Sequence, residues 1–245
     1  LKNPERVVGF HFFNPVAIMP LLEVARTEHT DDATTATAVS IGKELKKTMI
    51  ICKDAPGFVV NRLLTRFMGE ITDAVDEGTD PQVADNAMRS IGFPMSPFEL
   101  LGLVGPGVAV HVAETLHANL GPRYRISPTM QAMVKAGVKT FYIKNDDGTY
   151  GANPAALALI HKGDAPSTAE QVRLRALKAL AEEARMMLDE GVVSSPAEID
   201  LCMLMGAGWP MHLGGILPYL DREGISDSVC GSRFHPAGVA SLPSK

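Results

Sequence analysis

His11 and Glu23 are the residues of this chain whose types and surroundings could do acid–base chemistry together. His11 closes the apolar run Val7-Val8-Gly9-Phe10, and Phe12-Phe13-Asn14-Pro15 follows at once. An imidazole titrates near neutral pH, so it can take or give a proton there. Glu23 stands in a second apolar run, Leu21-Leu22-Glu23-Val24. A carboxylate in such a run needs a partner, because an unpaired charge out of water is costly. His11 is the available candidate, and a base held and charged by an acid is the logic of catalytic dyads. Each residue also has a plainer reading: His11 as a satisfied core histidine, Glu23 as an outward-facing strand residue. Spacing alone leaves both open.

The elements that must position the pair are short strands at residues 6–10, 19–26 and 48–52, rich in Val, Ile and Leu. The first reads as a buried strand ended by Pro15, which has a fixed φ and no N–H. His11 then stands at its carboxyl end, where open α/β sheets place ligands. Asp31 or Asp32 caps a helix running to about Lys46, and Lys43, Lys46 and Lys47 suit the negative end of its dipole. Asp54-Ala55-Pro56-Gly57 turns the chain into another helix, in which Leu63, Leu64, Phe67, Met68, Ile71, Ala74 and Val75 recur at helical spacing. Asn61 falls in its first turn, where a backbone cap is the plain reading.

Further helices are predicted from Asp80-Pro81, from Gly105-Pro106-Gly107 to about Asn119, and over 127–137. Gly92-Phe93-Pro94-Met95-Ser96-Pro97 is a breaker, and Thr140-Phe141-Tyr142-Ile143 closes the unit. Residues 144–168 read as a linker, with Asn145-Asp146-Asp147-Gly148-Thr149 turn-like. The pattern then repeats. A helix from about Ser167 ends at Asp189-Glu190-Gly191, as the earlier one ends at Asp76-Glu77-Gly78. Ser195-Pro196 echoes Asp80-Pro81, Asp200 echoes Asp85, and Trp209-Pro210-Met211 echoes Phe93-Pro94-Met95. Four echoes in order indicate an internal duplication of a helical unit.

Composition narrows the field. The chain has 245 residues, 46% of them hydrophobic, and a net charge of −5, which suits one large or two small well-formed cores. No dense Lys/Arg tract points to nucleic acid, no apolar run is long enough to span a bilayer, and no secretory signal opens the chain. Cys52, Cys202 and Cys230 are scattered, without metal spacing, which fits a reducing, cytoplasmic setting. His29, His111, His117, His161, His212 and His235 are likewise read as structural. Trp209 is read as core.

Gly9-Phe10-His11-Phe12-Phe13-Asn14-Pro15-Val16, then Glu23, then Asp54-Ala55-Pro56-Gly57-Phe58-Val59-Val60-Asn61-Arg62-Leu63-Leu64 resemble the L-3-hydroxyacyl-CoA dehydrogenase family, closely over residues 5 to 143 and more loosely beyond. The resemblance implies a mainly α fold. Two duplicated helical C-terminal domains, of the 6-phosphogluconate dehydrogenase type, would follow a short α/β edge of a truncated Rossmann domain. The expected organisation is a Rossmann remnant over 1–53, a first helical domain over 54–143, a linker over 144–168 and a degenerate second repeat over 169–245. Two units in one chain, and the ending Gly231-Ser232-Arg233-Phe234-His235-Pro236, are similar to the multifunctional fatty-acid oxidation α-subunit type.

The implied reaction is oxidation of an L-3-hydroxyacyl-CoA to the 3-ketoacyl-CoA with NAD. His11 would be the general base and Glu23 its orienting acid. Asn14 and Asn61 would bond the substrate oxygens, and Asn14 the nicotinamide region. The Lys43, Lys46, Lys47 cluster reads as a solvated face more readily than as a site for coenzyme A phosphates. Expected partners are the acyl-CoA and, in an intact complex, a homo-oligomer or thiolase subunit. In the second repeat Glu170, Gln171, Val172 and Arg173 stand where an Asn61 counterpart belongs, so that copy is expected to be structural. No Gly-x-Gly-x-x-Gly occurs, and the family's upstream serine is absent. The start at Leu1-Lys2-Asn3-Pro4 reads as that of a fragment or a processed chain. This polypeptide alone is therefore expected neither to hold NAD tightly nor to turn over. The rival reading is a non-catalytic helical packing or assembly module with an idle histidine motif.

Overall fold

The structure is a computed structural model that describes residues 1–144 and 150–239. The chain forms two compact units, Leu1–Leu63 with Ala181–Lys245, and Leu64–Leu180.

The first unit is built on strands β1 (Val8–Phe12), β2 (Leu21–Arg26) and β3 (Thr48–Lys53), in the order β1-β2-β3. Helix α1 (Asp32–Glu44) is the crossover that a parallel β2–β3 pair requires. Asp31 caps it by accepting from the Thr34 N–H at 2.6 Å. Leu22, Val24 and Ala38 form a core cluster under Val8, Phe10, Phe12 and Met49. β1 runs antiparallel to β2, with His11 opposite Glu23. This corrects two expectations. β1 is half-buried along its whole length, because among the described residues it pairs on one edge only. Its carboxyl end lies level with the amino ends of β2 and β3, so His11 does not sit at the carboxyl rim of a parallel sheet.

Helix α2 (Val60–Asp76) follows β3, and the chain leaves the first unit within it. The second unit continues with α3 (Pro81–Asn86), α4 (Pro97–Val104), α5 (Pro106–Leu120) and α6 (Pro128–Ala136), each opened by proline at its first position. Strands β4 (Tyr142–Lys144) and β5 (Tyr150–Ala152) pair antiparallel, and α7 (Pro154–Leu157) follows. The stretch expected as a linker thus holds β5 and α7, and Ala165 N–H donates to the Glu77 carbonyl at 2.8 Å. The turn expected at Asn145–Thr149 lies outside the described residues.

Helix α8 (Ala169–Asp189) returns the chain to the first unit, which α9 (Pro196–Gly206), α10 (Ile216–Arg222) and α11 (Ile225–Cys230) complete. This C-terminal part packs on the sheet. Lys53 N–H donates to the Val192 carbonyl at 2.8 Å. At Gly206 a Cβ would lie 2.6 Å from Leu21 Cδ2, 3.0 Å from Val60 Cγ2 and 3.4 Å from Phe13 Cε1, so only glycine lets α9 approach this closely. The duplication extends to hydrogen bonds. Asp85 on α3 accepts the Phe98 N–H at the start of α4, and Asp200 on α9 accepts the Leu217 N–H at the start of α10, each at 2.8 Å. No single helix among the described residues is long and apolar enough to cross a membrane.

Candidate active site

The cross-strand register decides the site. Opposite residues of an antiparallel pair present their side chains on the same face, so pairing His11 with Glu23 brings imidazole and carboxylate together. His11 Nδ1 lies 2.6 Å from Glu23 Oε2. Glu23 is fully buried. An ionised carboxylate only accepts, so the proton of this bond is on Nδ1. Nε2 then carries the free lone pair, and the His11 side chain is 27% exposed.

The other carboxylate oxygen answers the burial cost. Glu23 Oε1 accepts from Val59 N–H at 3.1 Å and Val60 N–H at 3.0 Å, where α2 begins. Amides at a helix N-terminus are unpaired within the helix and carry partial positive charge. The turn that aims them is strained: Gly57 has φ +74° and Phe58, not a glycine, has φ +45°. A left-handed residue with a side chain costs of order 1–3 kcal/mol and persists where its surroundings hold it. The Phe58 ring stands 5.6 Å from the imidazole, centroid to centroid, and Phe13 meets it edge-on at 4.6 Å.

Of the residues expected at the site, His11 and Glu23 are in direct contact. Asn61 lies on the first turn of α2, next to Val60; Glu23, not Asn61, takes the amides that open that helix. Asn14 is exposed, on the turn after β1, at a cis bond to Pro15. The Val59 and Val60 amides and the rings of Phe13 and Phe58 were not foreseen. Gly57 was the one local signal, as the residue that frees the chain to turn before a helix. Two cysteines lie in the same unit. Burial, with Glu23 adding to it, pushes Cys52 up to about 12, and burial raises Cys202 as well. Neither is a thiolate nucleophile near neutral pH. Among the described residues no His, Cys, Asp or Glu group could hold a metal.

A dinucleotide pyrophosphate needs free amides at the turn between a strand and a helix. The turn before α1 is occupied by the Asp31 carboxylate, and the turn before α2 by Glu23. Neither of these two turns therefore fits the pyrophosphate of NAD.

Residues 1–55 match the description "3-hydroxyacyl-CoA dehydrogenase, NAD binding domain", and residues 57–150 match "3-hydroxyacyl-CoA dehydrogenase, C-terminal domain". The fatty acid oxidation complex subunit alpha of Acinetobacter baylyi is 34% identical over 96% of this chain and 35% of that protein. The glyoxysomal fatty acid beta-oxidation multifunctional protein MFP-a of Brassica napus is 33% identical over 91% of this chain and 33% of its own length. The chain spans about a third of these curated relatives. In fold it is similar to 3-hydroxybutyryl-CoA dehydrogenase from Escherichia coli, with a TM-score of 0.70 over 98% of this chain and 70% of that one, at 22% identity. With the two halves of the family pattern in sequence order, this chain belongs to the L-3-hydroxyacyl-CoA dehydrogenase family.

Proposed function

We propose that the chain is the part of an NAD-dependent L-3-hydroxyacyl-CoA dehydrogenase of fatty-acid oxidation that supplies the proton-transfer dyad. The observation that carries this reading is the bond from His11 Nδ1 to a buried carboxylate held by two helix amides, with Nε2 left open. As a 3-hydroxyl is oxidised its proton must leave the oxygen. His11 Nε2 takes it, a step worth about 10²–10⁴-fold when the base is positioned. Glu23 fixes the tautomer and stabilises the imidazolium that forms. Asn61 and Asn14 bond the substrate oxygens.

NAD chemistry is not routed through these residues, since the strand-to-helix turns before α1 and α2 already hold protein carboxylates. On the same ground the 245 residues alone bind NAD weakly and do not turn over. Micromolar affinity in an isothermal titration of this chain with NAD would overturn that part. The substrate of this reading is an acyl-CoA, and its partner in an intact complex is a second copy or a thiolase subunit; the names of the relatives, a complex subunit and a multifunctional protein, support a multi-part assembly.

The test joins this chain to a glycine-rich NAD-binding segment from a relative and follows acetoacetyl-CoA reduction by NADH. His11→Gln is expected to remove the activity. An unchanged rate would leave the histidine idle and favour a helical packing module instead.

A further inference from the structure

The strained turn that aims Val59 and Val60 at Glu23 is held from the far end of the sequence. Arg62 stands two residues after Val60, and its backbone N–H closes the first turn of α2 onto the Gly57 carbonyl at 3.1 Å. Its guanidinium is wholly buried. Nε donates to Glu183 Oε1 at 2.6 Å, while Nη1 and Nη2 reach Glu190 Oε2 and Oε1 at 2.6 and 3.0 Å. Glu183 lies on α8 and Glu190 directly follows its last residue, Asp189, both in the part of the chain that belongs to the same unit as the dyad. A guanidinium suits this double grip because its planar fork matches a carboxylate, whereas an ammonium acts as a point charge.

We propose that Arg62, clamped by Glu183 and Glu190, is a positioning residue for the His11–Glu23 dyad. The clamp fixes the first turn of α2. That turn directs two amides at Glu23, and Glu23 sets the imidazole. The C-terminal repeat, expected from its sequence to be structural, thus takes part in the proposed reaction by supplying two carboxylates. This rests on the reading of His11 as the base.

The test reads geometry in the 245-residue chain, apart from turnover. The ¹⁵N–¹H signal of the His11 imidazole reports the tautomer, and amide exchange at Val59 and Val60 reports the turn. Arg62→Met is expected to shift the imidazole signal and speed that exchange on the order of 100-fold, the size set by removing one partner of a buried ion pair. Arg62→Lys should fall between. Glu190→Gln, at a half-exposed acid, should give a smaller change of the same kind and carries the test should Arg62→Met not fold. Arg175→Met is the control. It breaks the ion pairs to Glu70 and Glu77 in the other unit, and should leave both signals alone.

Clamp variants that move the His11 and Val59/Val60 signals no more than Arg175→Met would overturn the proposal, whatever His11→Gln does. Clamp variants that move them while His11→Gln spares turnover would keep the geometry and remove the function. In the joined, NAD-competent protein, Arg62→Lys should lower kcat more than it raises KM, since a misplaced base costs the chemical step.

Discussion

His11 donates from Nδ1 to Glu23 at 2.6 Å, and His235 meets Asp200 through Nε2 at 2.7 Å. In each pair the acid also takes helix-opening amides, from Val59 and Val60 for Glu23 and from Leu217 for Asp200. The difference lies around the rings. The His235 side chain is 10% exposed against 27% for His11. Asp221 ties down its backbone, accepting from the N–H groups of Phe234 and His235 at 3.0 Å each, and the Arg185 guanidinium lies 4.6 Å over the Phe234 ring. Asp85 in the other unit is the same station with a phenol in place of the imidazole, accepting from Tyr142 Oη at 2.6 Å. Burial and that bond keep the phenol neutral by raising its pKa. The two imidazole–carboxylate bonds thus differ in how far each ring side chain is open to solvent, and the proposed base is the more open one.

The largest effect should separate the two histidines. In the joined, NAD-competent protein His11→Gln is expected to lower acetoacetyl-CoA reduction by about 10²–10⁴-fold. His235→Gln should leave the rate intact and lower stability by about 1–3 kcal/mol in urea unfolding, the cost of an unpaired buried acid partner. Equal rate losses in both variants would erase the distinction. Next in size, Arg62→Met should destabilise the first unit by about 3–5 kcal/mol, because it breaks a fully buried ion pair to Glu183.

Asp73 sharpens the contrast as a buried acid on α2 paired with a mostly exposed cation. Arg125 stands 3.5 Å away, and burial pushes the carboxyl up to about 6. The folded chain then holds this proton more tightly than the unfolded chain does. The resulting stability is complete below the ordinary Asp pKa and is lost as pH rises to about 6 and beyond. Asp73→Asn should gain about 2 kcal/mol at pH 7, and the gain should vanish near pH 4, as read from unfolding curves across that range. The smallest effect is expected from Gly206→Ala. Its new Cβ would press on Leu21, Val60 and Phe13, at about 1 kcal/mol, with a shift of the His11 imidazole signal through Phe13.

Much of the scaffold was legible. The runs at 19–26 and 48–52 became β2 and β3, and Asp31 and Asp80 cap α1 and α3, because apolar period and capping chemistry are local. The His11–Glu23 contact could be anticipated because a buried acid demands a partner and few were on offer. The backbone amides that complete the site could not, since every residue type but proline carries one. Nor could the direction of β1, which depends on how its edge meets β2.

Arg62 shows where sequence reading stops. Its partners stand 121 and 128 residues away, and no local pattern joins them. Residue types and short-range spacing determined which groups could exchange a proton and which segments would be strand or helix, since those follow from side-chain chemistry and backbone period. Tertiary structure alone decided which imidazole stays open, which amides hold the acid and what braces the strained turn. Those depend on burial and on contacts between segments far apart in the chain, and neither is written in any one stretch of it.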